Sequence, residues 1–166
     1  MDHHSVRVHY FDASALVKLV ADDVDEKLGG DVLREYSKNC PSRYTSSFCV
    51  AEAFGAFKRK LRGKKISQGQ YIDYVRDLNR EIVNHFKVDE APILGHDVVA
   101  KAEVLVVKYK IDFIDCFQIV TLTQGEFSFL VGPSQSILIT ADHDLAIAAR
   151  AEGAKVWECT RELTPP

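Results

Sequence analysis

Ile137-Leu138-Ile139-Thr140-Ala141-Asp142-His143-Asp144-Leu145 carries an apolar run straight into a polar, acid-rich turn. A short apolar run ending in a threonine reads as a buried strand. Asp144 then suits the N-cap of a helix that runs to Glu152, with Gly153 at its C-terminal end. Lys155-Val156-Trp157 follows as a further strand. Strand, helix and strand in that order make a βαβ unit, which requires parallel pairing.

The same alternation extends back through the chain. Val6, Val8 and Tyr10 alternate with Arg7 and His9, and Phe11 follows, which predicts a strand that Asp12 closes. A short helix over 15–20 is expected next, with Ser14 as its cap, then a second from Asp25 to about Lys38 that Gly29-Gly30 weakens. Arg43-Tyr44-Thr45 is a strand candidate, and Ser46 or Ser47 caps a helix carrying Phe48, Ala51, Phe54, Phe57 and Leu61. Ser67 and Gln70 have the spacing of a capping box ahead of Tyr71, Val75, Leu78, Ile82 and Phe86. Phe86-Lys87-Val88 reads as a strand, with Pro92 ending the segment. Helices are predicted over 96–109 and 111–122, the second with Asp112 as N-cap and Asp115 in its first turn. Residues 123–136 read as a loop or small excursion. The expected architecture is one α/β/α domain over residues 1–166, with a mostly parallel central sheet.

Composition sets outer bounds. The chain has 166 residues, 46% hydrophobic and 27% charged, with a formal net charge of −3. Those are ordinary values for a globular domain, and the balance lacks the strong basicity common among nucleic-acid binders. Cys40, Cys49, Cys116 and Cys159 include no C-x-x-C pair, so a zinc site is not expected. Cys49, Cys116 and Cys159 lie in apolar contexts and read as small buried hydrophobes, which fits a reducing cytoplasmic compartment, and no apolar run is long enough to span a bilayer.

Four acids stand where local sequence brings each to the edge of an element: Asp12, Glu52, Asp115 and Asp142. In a parallel α/β sheet the site lies beyond the carboxyl ends of the strands, and Asp12 and Asp142 directly follow predicted strands. Carboxylates gathered in a fold repel one another unless a cation lies between them. Oxygen ligands of this kind suit Mg²⁺ or Mn²⁺. Ser14 and Thr140 are placed to support the site, Thr140 by orienting Asp142 or a water. Asp112 and Asp144 are the better caps, which leaves Asp115 and Asp142 for the ion. His143 reads first as a surface histidine in a turn and second as a proton carrier. Two divalent ions held by shared carboxylates would clamp the attacking and leaving oxygens of a phosphodiester.

These pieces together resemble the PIN-domain family, and within it the VapC-type toxins of prokaryotic toxin–antitoxin pairs. The matching stretches are Tyr10 to Leu19, the Glu52 helix, Asp112 to Ile119, and Leu138 to Leu145 continuing through Gly153. The resemblance implies a Mg²⁺- or Mn²⁺-dependent endoribonuclease with a compact α/β/α fold. Asp12, Glu52, Asp115 and Asp142 would form its acidic site. It also implies a homodimer and a cognate antitoxin protein that covers the site. Cys116 stands where the family usually has alanine, another small residue.

RNA must still be held near such acids. Lys58, Arg59, Lys60, Arg62, Lys64 and Lys65 follow the Glu52 helix, and Lys58, Arg59 and Arg62 are expected to grip phosphates. The competing expectation is a catalytically silent PIN-like module that binds RNA or a partner protein. A phosphotransferase ranks third, because Asp12-x-Ser14 lacks a second aspartate two residues after the first.

Overall fold

The computed structural model describes residues 7–89, 96–125 and 127–165, so the expectations placed on Val6 and Pro92 lie outside the described residues. Strands and helices alternate as β1 (His9–Phe11), α1 (Ala13–Val20), α2 (Lys27–Lys38), β2 (Arg43–Ser46), α3 (Ser47–Arg62), α4 (Gln68–His85), β3 (Phe86–Asp89), α5 (His96–Tyr109), α6 (Phe113–Thr123), β4 (Ile137–Thr140), α7 (His143–Ala151) and β5 (Lys155–Glu158). Between α6 and β4 the chain makes a short 3₁₀ turn at Gly132–Ser134. The described helices include none long and apolar enough to cross a membrane.

The sheet order is β3-β2-β1-β4-β5 and each neighbouring pair is parallel. The chain leaves β1 outward to β2 and β3, crosses back to β4, and continues outward to β5. Right-handed crossovers therefore put α1 to α4 on one face and α5 to α7 on the other. Helix packing agrees: α1 meets α2, α3 and α4, while α6 meets α5 and α7. The strand order reverses between β1 and β4. At such a switch point the flanking connections part to opposite faces and leave a crevice beyond the strand ends.

Ile137, Leu138 and Ile139 have no exposed surface, as expected of a central parallel strand covered on both faces. Phe57 of α3 and Leu78 of α4 are likewise fully buried. Each large apolar side chain so buried contributes on the order of 1.5–3 kcal/mol. The Ser67–Gln70 capping box forms in both directions, and Ser46 rather than Ser47 caps α3 by accepting from the Cys49 backbone N–H. All four cysteines are free and buried.

One glycine fixes how α2 meets the sheet. The helix bends at Leu28 and Gly29, where Gly29 has φ 74°. A Cβ there would stand 2.1 Å from the Cys159 carbonyl oxygen. Backbone conformation and close approach each require glycine at this position.

Candidate active site

Asp12 and Asp142 leave adjacent strands by the same device. Each residue keeps extended backbone, at φ −77°, ψ 176° for Asp12 and φ −87°, ψ 120° for Asp142. Each then turns its carboxylate onto the following helix: Asp12 accepts from the Ala15 N–H at 2.7 Å, and Asp142 from the Leu145 N–H at 3.0 Å. Both are N-caps, which corrects the expectation that Ser14 and Asp144 would cap. An N-cap needs non-helical φ and ψ, and the first residue off a strand already has them. Ser14 and Asp144 fall inside their helices, where Asp144 suits the dipole of the first turn.

Two hydroxyls stitch these turns together. Ser14 Oγ lies 2.9 and 2.8 Å from the two Asp12 oxygens, to which it donates, and accepts from the Ala141 N–H at 2.8 Å. Thr140 Oγ1 donates to Asp12 Oδ2 at 2.8 Å and accepts from the Asp142 N–H at 2.8 Å. Thr140 thus orients Asp12 through its side chain and Asp142 through its backbone. Asp12 is only 3% exposed. Burial pushes its carboxyl up to about 6, against the pull of the Ala15, Ser14 and Thr140 hydrogen bonds and with a further push from the Asp142 charge.

The other two acids arrive from opposite layers. Asp115 lies in the first turn of α6. Burial first, then the charges of Asp12, Asp142, Glu52 and Asp112, push its carboxyl up to about 7. Glu52 comes from α3 and is half-buried. Burial raises its carboxyl, the Arg59 charge opposes this, and Asp112 and Asp142 add to the rise. Asp112 occupies the N-cap position of α6 but makes no side-chain cap bond. The fold therefore brings Asp12, Glu52, Asp115 and Asp142 within electrostatic reach of one another at the switch point.

This gathering is not a ready-made cage. Among the described residues no group of three or more His, Cys, Asp or Glu side chains is placed to hold a metal ion. The donor chemistry nevertheless fits a hard cation: the donors are carboxylate and hydroxyl oxygens, and burial, then four like charges, raise the Asp115 carboxyl. Mg²⁺ keeps several waters and takes one or two carboxylates directly, so a three-acid cage is not a prerequisite.

The basic run after Glu52 divides. Lys60 pairs with Asp23 at 2.8 Å and Glu26 at 2.8 Å, and Lys65 with Asp25 at 2.9 Å. Lys58 lies over the Tyr71 ring, 5.5 Å from its centroid, and Arg62 is solvent-exposed at the end of α3. Arg59 lines a cavity of about 190 Å³ together with Ser14, Glu52 and Ala141.

Glu158 was invisible to sequence reading. It is 2% exposed at the end of β5, beside Thr140 in register. His143 Nδ1 lies 3.1 Å from its carboxylate, and Arg161 Nε 2.9 Å. His143 is therefore a half-exposed residue tied to a buried acid on the β5 side of the rim, and not a free turn histidine. Only the β4–β5 register reveals the pair.

No family model and no curated protein matches the chain. Among solved structures, the crystal structure of PAE2754 from Pyrobaculum aerophilum is similar, with a TM-score of 0.59 at 19% identity, covering 92% of this chain and 91% of that one. At that identity the likeness shows the α/β/α fold, with its parallel sheet between helices, and nothing about activity.

Proposed function

We propose that the chain is a Mg²⁺- or Mn²⁺-dependent endoribonuclease of the PIN type, acting in the cytoplasm as the toxin of a toxin–antitoxin pair. One observation carries the reading: acids from four separate elements converge at the sheet's switch point with no cation of the fold matched to Asp12, Asp115 or Asp142 among the described residues. Fixed like charges at a cleft are a cost that structure alone does not explain.

In this reading Asp12, Glu52, Asp115 and Asp142 hold the ion. When bound, the ion supplies Lewis acidity toward a phosphate oxygen. Asp12 is the fixed member, because hydrogen bonds from Ser14, Thr140 and Ala15 hold both its oxygens. Asp115, which burial and then the neighbouring acids push up to about 7, is the member whose charge a bound cation would relieve most. RNA is the substrate, a second copy completes a homodimer, and an antitoxin covers the acidic rim.

Labelled RNA incubated with the purified chain tests this. Cleavage is expected with Mg²⁺ or Mn²⁺ and not with EDTA, and Asp12→Asn or Asp115→Asn is expected to lower it by about 100-fold or more while leaving the fold intact. EDTA-resistant cleavage, or full activity in either variant, rejects the assignment. The second reading is a silent module that holds RNA or a protein. The spread of the carboxylates, short of a three-acid cluster, favours it. Binding of RNA with no cleavage under any divalent ion would select it.

A further inference from the structure

The cavity beside Glu52 continues along α3. Its about 190 Å³ are lined by Ala13, Ser14, Val17, Glu52, Ala56 and Arg59, among others. A second cavity of about 300 Å³ reaches Gly63 and Lys65. The two share Glu26, Ala56, Arg59 and Lys60, so they form one trough leading away from the acidic rim. From Glu52 to Gly63 it follows about 16 Å of helix.

Three cations line this trough, and they are not equivalent. Lys60 has only 12% of its side chain exposed and lies among Asp23, Asp25 and Glu26. Lys65 is engaged by Asp25. Arg59 has no ion-pair partner among the described residues, and its charge acts on Glu52. Its guanidinium folds back over Gly55, with Nη1 3.4 Å from where a Cβ would stand. The side chain thus lies along the helix toward the acids, about two turns from Glu52.

We propose that Arg59 is the substrate-positioning residue of this trough: it takes a phosphate flanking the scissile one, exchanging its attraction to Glu52 for that contact. Lys60 and Lys65 remain with the acidic turn, and Lys58 and Arg62 stay out of contact. A guanidinium presents a planar fork that fits phosphate bidentately, unlike a point-charge lysine. Alanines at positions 13, 56 and 141 leave room for the sugar–phosphate chain, and no aromatic ring is among the residues lining either cavity. Contact is therefore with backbone rather than base, and it carries no sequence preference. The identity of the ligand rests on the ribonuclease reading above.

The test separates binding from chemistry. A fluorescent single-stranded RNA oligonucleotide is titrated into the chain in EDTA over a salt series. Arg59→Ala is expected to weaken binding about tenfold at low salt and to reduce the salt slope by about 0.7. Arg59→Lys should restore the slope but not the full affinity. Lys58→Ala and Arg62→Ala should match the wild type. An unchanged slope in Arg59→Ala, equal losses in the Lys58 and Arg62 variants, or a wild-type chain that binds no oligonucleotide each overturns the assignment. In the cleavage assay Arg59→Ala is expected to raise KM several-fold with kcat little changed. Arg59-dependent binding without any cleavage would overturn the nuclease reading and support the trough.

Discussion

Two regions of this molecule carry four acids each, and their surroundings differ completely. In the turn between α1 and α2, Asp23, Asp25 and Glu26 meet Lys18, Lys60 and Lys65, and Asp22 accepts from the Tyr74 hydroxyl at 2.6 Å. At the rim, Asp12 and Asp142 have hydroxyls and backbone N–H groups for partners, and Asp115 feels chiefly other carboxylates once burial is counted. One set lies in one contiguous run from Asp22 to Glu26, and the other is gathered from positions 12 to 142. Pairing tells them apart: the matched set holds helices together, while the unmatched set leaves negative charge at a cleft.

Breaking the matched set should have the largest effect on stability. Lys60→Met keeps most of the packing but leaves the carboxylate of Asp23, which is 8% exposed, with no cation and only the Asp25 N–H at 3.2 Å on one of its oxygens. Removing one partner of a buried pair is expected to cost about 3 kcal/mol, read as a lower midpoint in urea unfolding. No change would mean that pairing is not what distinguishes the turn.

At the rim the sign reverses. Asp115→Asn removes a carboxyl that burial and four neighbouring acids already disfavour when charged. Without added divalent ion, the variant should gain about 1 kcal/mol, read as a higher midpoint in urea unfolding. A destabilised variant would show that the rim acids support the fold rather than strain it.

The smallest expected effect sharpens the contrast from the far end of β1. His9 is buried there, and burial, then the Arg7 charge, lower its pKa. The unfolded chain therefore binds more protons than the folded one once pH falls below the ordinary histidine value. The stability His9 contributes is present above that value and lost as pH drops through 6.5 and below. Melting temperatures at pH 7.5 and 5.5 should differ less for His9→Gln than for the wild type. An equal drop in both would place the acid sensitivity elsewhere.

Much of this architecture was legible because periodicity and turn chemistry are local. Ile137 to Thr140 reads as a buried strand from its own composition, and Ser67 with Gln70 announces the start of α4. The caps of α1 and α7 are not legible in sequence because each turn offers two candidates two residues apart, Asp12 and Ser14 in one and Asp142 and Asp144 in the other. Backbone conformation, which sequence does not display, favours the one nearer the strand. The fate of the basic run was hidden for a different reason. Lys60 is half-buried by a turn about 35 residues earlier in the chain, and only tertiary structure shows that Lys60 faces inward and Arg59 toward the acids. Glu158 needed the β4–β5 register before it could be seen beside His143.

The bend at Gly29 reaches further than α2. The Cys159 carbonyl that abuts it belongs to a residue whose own N–H donates to Thr140 O at 2.9 Å. Thr140 in turn holds Asp12. A methyl group added at position 29 would thus press on a chain of contacts that ends at the Asp12 carboxylate, so the missing side chain of one surface helix acts as a remote spacer for the rim.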